Sequence, residues 1–339
     1  MPRPGGRSNP PLGLVRTAAA IVFLFFAPAA AAEPFSLAAI AFHPKSNTLV
    51  LARGHNGELR LVDFAEPGKP AARAFGAKIG AAIFLNDGRR IVTGGADGTV
   101  RIWSPEATEA GAPILGSGEA ITSIAVSASD RFLATVDRNL TLRIWQAEGP
   151  GFRQRLQIPL QPKSNPSEGS DVAFVPDESA VAAISLFGNV FMRTIDGRPV
   201  AVPRARGDYE SCCGVRIGFS GDGRFLIARR GYQPGYDAFV WTLRAGRVEG
   251  GRKFEEAVEV RDFAVLQGAA ELVILDALGL RRVEAGGMRG AMLVPGEAAA
   301  QIRGIAVSAD EARLATIEPD DTIVYRAGDG APLGRISLR

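Results

Sequence analysis

A short apolar strand recurs seven times along this chain of 339 residues. The copies start at Ile40, Ala82, Ile124, Val172, Ile217, Phe263 and Ile305, so the repeat is 42 to 48 residues long. Nine residues after each start, an apolar residue opens a second strand, at Leu49, Ile91, Leu133, Val181, Leu226, Leu272 and Leu314. Because this offset is kept in every copy, the chain is predicted to be an array of equivalent stacked units.

Turn formers and alternating strands complete each repeat. Asp, Asn, Ser and Gly suit tight turns, and they lie between the first two strands at residues 86–88, 128–130, 176–178, 221–223 and 309–311. A third, alternating strand is clearest at 58–62, 99–103, 141–145 and 322–325, and a weaker fourth fits 71–75, 113–115, 155–158 and 333–338. This pattern is typical of a propeller blade. We therefore predict an all-β fold, a seven-bladed β-propeller of four-stranded antiparallel blades, over residues 33–339.

The N-terminal segment has the order of a bacterial-type secretory signal: positive charge, then apolar residues, then small residues. Three arginines are its only charges, the apolar run covers residues 18–26, and alanines occupy 29–32. We predict a signal peptide at residues 1–32 cleaved after Ala32, and a periplasmic or secreted mature protein without a membrane span. An uncleaved anchor is the alternative, although the run is shorter than the ~20 residues that span a bilayer.

Cleavage would change the charge of the chain. The formal net charge is +3, and the predicted signal carries three arginines and no acidic residue, so the mature part has a net charge of zero. A neutral chain has no long-range attraction for polyanions. We therefore expect no nucleic-acid partner.

The only cysteines are adjacent, at Cys212 and Cys213. Their Cα atoms would be about 3.8 Å apart, below the ~4.4 Å that is usual for a disulfide. A bond between them would be strained and easily reduced, which keeps a redox switch open as an interpretation. We favour two small packed residues, and two thiols without a nearby histidine make a poor zinc site.

Two repeats resemble the WD-repeat family. The better match is GADGTVRIW at residues 95–103, the second is DRNLTLRIW at 137–145, and Trp241 occupies a similar place in the fifth repeat. The resemblance implies a propeller fold. The family's Gly-His pair before the first strand is absent from every repeat, so its Asp–His–Ser–Trp hydrogen-bond network is not expected here. Asp97 is expected only to shape its turn.

The ends of the chain determine how the ring closes. Only seven residues lie between the predicted cleavage site and the first repeat start. We therefore predict that residues 333–338 form the outer strand of blade seven. Closure would then depend on packing between the faces of blades one and seven.

In an antiparallel meander, the loops between strands two and three and the connections between blades share one face, which we call face A. It carries the long predicted loops at residues 161–170, 203–213 and 229–237. Loops on a rigid scaffold commonly carry binding residues, and Tyr and Arg are enriched at interfaces. We predict a binding patch on face A with the candidate residues Tyr209, Tyr232, Tyr236, Arg229, Arg230 and His55.

Motifs for catalysis are not found: there is no serine hydrolase elbow, phosphate loop or paired-cysteine metal motif. We predict a non-enzymatic, monomeric scaffold without cofactor, catalytic residues or metal, whose partner is a protein or peptide.

The alternative is a hydrolase or lactonase-like propeller enzyme with a polar or metal site at the axis. Asp276, Asp320 and Asp321 are candidates for such a site, because they lie in loops of face A. A third interpretation is a regulatory companion of another exported enzyme, such as a peptidase.

Overall fold

The chain folds into seven sheets of four antiparallel strands. The computed structural model describes residues 37–53, 57–64, 71–74, 78–104, 114–115, 118–161, 169–205, 216–232, 235–254, 259–266, 268, 270–287, 290–318 and 321–337. Consecutive strands are neighbours in every sheet, so each blade is one uninterrupted stretch of chain. The predicted all-β, seven-bladed propeller is confirmed.

The first three blades contain twelve strands. Blade one has β1 (Leu37–Phe42), β2 (Thr48–Arg53), β3 (Glu58–Asp63) and β4 (Ala71–Ala74). Blade two has β5 (Ile79–Phe84), β6 (Ile91–Gly95), β7 (Thr99–Trp103) and β8 (Ile114–Leu115). Blade three has β9 (Ile121–Val126), β10 (Phe132–Asp137), β11 (Thr141–Glu148) and β12 (Gly151–Pro159).

The other four blades continue the same order. Blade four has β13 (Gly169–Phe174), β14 (Ala180–Ser185), β15 (Val190–Thr194) and β16 (Pro199–Val200). Blade five has β17 (Arg216–Phe219), β18 (Phe225–Tyr232), β19 (Gly235–Arg244) and β20 (Arg247–Lys253). Blade six has β21 (Asp262–Val265), β22 (Glu271–Asp276), β23 (Gly279–Glu284) and β24 (Gly290–Pro295), and a short helix, α1 (Gly296–Ala299), follows it. Blade seven has β25 (Gly304–Val307), β26 (Arg313–Ile317), β27 (Asp321–Arg326) and β28 (Pro332–Ser337).

The repeat positions form the core of each blade. All seven apolar residues that lie nine positions after a repeat start are fully buried, at 0% exposure. The seven repeat starts themselves are at most 4% exposed. Burying one such large apolar side chain stabilises a fold by about 1.5–3 kcal/mol, and the resulting clusters run from blade to blade. The repeat is therefore a packing pattern that covers both faces of every blade.

The turns between first and second strands lie on the opposite face, face B. Six residues after the repeat start, φ is positive at Gly88 (73°), Asp130 (59°), Glu178 (61°), Gly223 (70°) and Glu311 (58°). Glycine adopts this conformation without strain, whereas other residues do so at a cost. The acidic residues use it to reach the preceding blade: the Asp130 carboxylate accepts hydrogen bonds from the backbone N–H groups of Asn86 and Asp87, each at 2.8 Å.

The tryptophans of blades two, three and five use different hydrogen-bond acceptors. Trp103 Nε1 donates to Thr93 Oγ1 at 2.8 Å, and Trp145 Nε1 donates to the equivalent threonine of blade three at 3.1 Å. Blade five has Ala228 at the threonine position, and Trp241 Nε1 donates instead to the carbonyl of Pro203 in the connection from blade four, at 2.7 Å. Each of these buried indoles therefore keeps an acceptor although the histidine network of the resembled family is absent.

Asp97 shapes its turn, as predicted. Its carboxylate accepts hydrogen bonds from Thr99 N at 3.1 Å and Thr99 Oγ1 at 2.7 Å, and it pairs with Arg101 at 2.8 Å. Partial burial alone would raise the pKa of Asp97, but the hydrogen bonds from Arg101 and Thr99 outweigh it and lower the pKa to about 2.

Among the strands that the structure describes, none is exchanged between blades one and seven, where the ring closes. Strand β28 pairs with β27 as the outer strand of blade seven, so this prediction is confirmed. Apolar residues of blades one, six and seven share one buried cluster. On face B, Arg313 donates to Asn47 and lies 5.3 Å from the centroid of the Phe64 ring. Packing between blade faces therefore closes the ring.

Candidate functional site

A β-hairpin of blade five extends beyond its sheet on face A. The first residue of β17, Arg216, pairs with Arg229, and β18 continues past it to pair with β19 at Arg230–Asp237, Gly231–Tyr236 and Tyr232–Gly235. In the six other blades, the first strand begins opposite the last or next-to-last residue of the second strand. Counted from the apolar residue that is equivalent in all blades, β18 runs six residues on, from Leu226 to Tyr232, whereas the second strands of the other blades run three or four. Residues 230–237 therefore form an arm that, at 3.3–3.4 Å per residue, extends about 7 Å further than the second strands of its neighbours.

The structure corrects the prediction that residues 229–237 are a loop. Both flanking segments are paired strands, and only the two residues between Tyr232 and Gly235 lie outside the described part. Gly, Pro and Asp favour turns locally. Here the pairing of β18 with β19 overrides that preference up to Tyr232.

Charged side chains fix the base of the arm. Arg229 is only 8% exposed, and its Nε donates to the carbonyl of Val260 at 2.8 Å. The guanidinium of Arg230 lies over the ring of Phe239, 5.4 Å from its centroid. Lys253 and Asp237 form an ion pair at 2.8 Å on the other strand. The arm therefore stands on a base with several directional contacts.

Exposed apolar side chains flank the arm on both sides. Phe187 (50% exposed) and Leu186 (36%) lie in the turn between β14 and β15, and Leu278 (49%) lies in the turn between β22 and β23. The part of the chain that the structure describes has only two other exposed large apolar residues, Met292 and Leu333, which lie on the outer strands β24 and β28. Exposed apolar surface is thus concentrated on face A of blades four and six.

The predicted site residues are only partly brought together. Tyr232 and Tyr236 lie on the two strands of the arm, and Arg230 is at its base and half-buried. Arg229 is buried in β18, which corrects its predicted place in an exposed loop. His55 and Tyr209, like the cysteine pair at 212 and 213, lie outside the described residues. The sequence analysis did not single out Leu186, Phe187 and Leu278, because an apolar residue beside a strand is usually assigned to the core. The pattern that could have identified them is an apolar residue inside a tight turn.

A chain of polar contacts joins the inner strands beneath face A. Ser123 Oγ donates to Asp171 at 2.7 Å, and Asp171 also accepts from Ile217 N at 3.0 Å. Arg216 donates to Asp262 at 2.6 Å. Burial raises the pKa of both Asp171 and Asp262, although the charge of Arg216 opposes the shift in each case. These carboxylates are bound by neighbouring blades.

Of the acidic groups considered for an axial metal or catalytic site, Asp276 is engaged within its own hairpin. Asp276 accepts from Leu278 N at 2.9 Å and pairs with Arg281, so both of its oxygens are used within one hairpin. Asp321 begins β27, and Asp320 lies outside the described residues. Within the described ranges, no three His, Cys, Asp or Glu side chains group as metal ligands. The same ranges contain no helix that is long and apolar enough to cross a membrane.

Face B carries an open cleft of about 500 Å³ between the turns of blades three, four and five. Its wall includes Glu178, whose carboxylate accepts from Ser129 Oγ at 2.9 Å, and Asp222, which accepts from Ser220 Oγ at 2.6 Å. Glu178 therefore joins blades three and four, and Asp222 organises its own turn. The cleft lies on the face opposite the arm.

A protein-family model matches the segments of two of the seven blades. The family model described as "WD domain, G-beta repeat" matches residues 75–104 and 113–146. These segments contain the described strands of blade two and the first three strands of blade three. The matched segments end just after the tryptophans that donate to threonine, Trp103 and Trp145. The chain as a whole is a WD-repeat-like seven-bladed propeller, and propellers with WD repeats are commonly protein-interaction scaffolds.

The wider comparisons support the fold. No curated protein matches the chain. Among solved structures, this WD-like propeller is similar to a computationally designed protein, Ika8, with a TM-score of 0.62 and 18% sequence identity, over 87% of this chain and 85% of that one. At this identity the similarity shows the fold alone.

Proposed function

We propose that the protein is an exported, non-enzymatic scaffold that binds a protein or peptide on face A of blades four to six. The observation that carries the proposal is the arm at residues 230–237, which extends about 7 Å further than the second strands of the neighbouring blades and lies between the exposed side chains of Phe187 and Leu278. Exposed apolar groups beside a structured projection are typical of an interaction surface.

The energetics favour a small number of anchors. Phe187 and Leu278 are each about half exposed, and complete burial of such a side chain contributes about 1.5–3 kcal/mol. A few anchors of this size dominate most protein interfaces. The fixed base of the arm supports this role, because a pre-ordered surface loses little conformational entropy on binding.

The proposal is tested by affinity capture with matched variants. We would tag residues 33–339 in the native host, identify co-purifying proteins by mass spectrometry, and compare Phe187→Ser and Leu278→Ser with Leu333→Ser. Leu333 is the control because it is also exposed, at 45% against 49% for Leu278, but lies on the outer strand of blade seven. A further variant joins Arg230 to Asp237 through an Asn-Gly turn, which removes the end of the arm and suits a two-residue hairpin.

We expect a specific partner that is lost with the two face A substitutions and with the shortened arm, and retained with Leu333→Ser. Retention of the partner by all variants would refute this surface. Absence of any partner, together with a stoichiometric divalent metal in the purified protein, would favour the enzyme alternative.

A further inference from the structure

The connection from blade six to blade seven lies on face A, beside the turn that exposes Leu278. We call residues 296–303 the α1 segment, because they contain α1 and lead from β24 to β25. Ala299 and Ile302 are buried, at 0% and 1% exposure. The residues that the segment exposes to solvent are Glu297, Ala298, Ala300, Gln301 and Arg303. The segment therefore packs onto the propeller through its apolar side chains and exposes small and polar ones.

The beginning of the α1 segment is in close backbone contact with the Leu278 turn. A Cβ atom placed on Gly296 would lie 2.9 Å from the carbonyl oxygen of Ala277 and 3.1 Å from that of Leu278. Gly279 has a φ of 133°, and a Cβ atom there would overlap the carbonyl oxygen of Val294. Glycine suits both positions because it has no Cβ. The turn and the segment can therefore lie directly against each other.

One side chain, that of Arg261, bonds to both parts. Its Nη1 donates to the carbonyl oxygens of Ala299 and Ala300, each at 3.1 Å, and to that of Ile302 at 3.4 Å. Its Nη2 donates to the carbonyl oxygen of Asp276 at 2.9 Å. The last carbonyl groups of a helix have no partner within the helix, and a guanidinium has five N–H donors with which to serve them. Arg261 thus joins the end of α1 to the base of the turn.

The turn itself is held by Asp276. Its carboxylate accepts a hydrogen bond from Leu278 N at 2.9 Å and pairs with Arg281. Arg261 is fixed in turn by its backbone, because its N–H donates to the carbonyl of Leu275 at 2.7 Å. Directional contacts therefore connect Arg261 to Leu278 through a single intermediate residue.

We infer that Arg261 positions the Leu278 anchor of the proposed binding surface by holding the Leu278 turn against the α1 segment. A pre-ordered anchor loses little conformational entropy when a partner binds. Without the guanidinium, the carbonyls that it serves lose a donor, and the turn and the segment move independently. The role of Leu278 as an anchor rests on the proposed function, whereas the link between turn and segment is a property of the fold alone.

Hydrogen exchange measured by mass spectrometry on the predicted mature chain tests the link without a partner. In Arg261→Met, we expect residues 277–279 and 296–303 to exchange about tenfold faster, because local opening sets the rate. The matched control is Arg252→Met, since Arg252 also donates to a carbonyl of blade six, that of Gly286 at 2.7 Å, but on face B. This control should leave both segments unchanged.

The link is refuted if either segment keeps its wild-type exchange rate in Arg261→Met, or if exchange rises equally in all seven blades. Arg261→Lys is a milder variant that keeps the charge and one donor nitrogen. It is expected to give a smaller increase, confined to the same two segments.

A double-mutant cycle tests the positioning role with the partner identified by affinity capture. We expect Arg261→Met to weaken binding about tenfold in the wild-type background and to have little further effect in Leu278→Ser, because coupled residues are not additive. Additive effects would refute the positioning role. Absence of any partner would refute the proposed function and this role with it, whereas the exchange result would still decide the link.

Discussion

At the scale of single residues, the turns of face B show how side-chain chemistry determines where backbone strain is tolerated. Asp130, Glu178 and Glu311 occupy a conformation that Gly88 and Gly223 adopt freely in other blades. Their carboxylates bind the preceding blade, and a glycine has no group with which to do so. The sequence pattern predicts the turn. It does not predict the contact between blades, because the donors are about 43 to 49 residues earlier in the chain.

Replacement of Asp130 by glycine separates these two effects. Asp130→Gly relieves the positive φ but removes the acceptor for Asn86 N and Asp87 N. We expect the free energy of unfolding to fall by about 1–3 kcal/mol, as for other donors that lose a partner. Asp177→Asn, which keeps the oxygen that serves its own turn, should change it by less than about 0.5 kcal/mol. Urea denaturation measures both, and a stabilised Asp130→Gly would show that strain dominates.

The turn carboxylate of Asp97 gives a prediction about pH. Its folded pKa of about 2 is below the ordinary 3.8, so the folded state binds this proton less tightly than the unfolded state. The stabilisation from Asp97 is therefore complete above about pH 4 and is lost as the pH falls through 2. A carbon-13 NMR titration should give a midpoint near 2 that rises in Arg101→Met. An unchanged midpoint in that variant would show that Arg101 has no part in the shift.

At the scale of strands, the sequence predicts what repeats and misses what occurs once. The fixed offset between Ile40 and Leu49, and its six copies, places the inner two strands of every blade because a buried core permits one register. Among the described residues, the arm occurs only in blade five, so the repeat offers no counterpart from which to deduce the pairing of Gly231 with Tyr236. The exposed Phe187 was missed for the same reason. Composition alone does not distinguish an apolar turn from an apolar core.

The strand pair β6–β7 gives a prediction for the buried tryptophans. Thr93→Val removes the acceptor of Trp103 Nε1, and both side chains are at most 5% exposed. The unsatisfied indole N–H should cost about 1–3 kcal/mol of unfolding free energy. Thr93→Ser keeps the hydroxyl and loses one methyl group, so its loss should be smaller. Thermal unfolding followed by circular dichroism compares the two, and equal melting temperatures would exclude a stabilising role for the bond.

At the scale of the whole molecule, some blades keep the repeat motif and others carry the proposed binding surface. Blades two and three keep the WD motif, whereas blades four to six carry the arm, the exposed turns and the buried ion pair of Arg216 and Asp262. The positions furthest from the repeat pattern are thus the ones proposed to bind a partner. The regular strands of all blades form the scaffold, and the features that differ between blades form the proposed binding surface.

Export is tested on the whole chain. When residues 1–339 are expressed in a Gram-negative host, we expect the purified protein to begin at Glu33 and to fractionate with the periplasm or the medium. N-terminal sequencing and fractionation measure this. A product that retains residues 1–32 and sediments with membranes would instead establish the uncleaved anchor.

Because each blade is one uninterrupted stretch of chain, position around the ring follows order of synthesis. Blade one is made first, yet one of its two faces is covered only when blade seven arrives. Until blade seven has been made, the growing chain is an open arc with apolar surface at each end. A folding factor that holds such an arc would have to act until blade seven is made, because its inner strand β25 packs against β1, which was made more than 260 residues earlier.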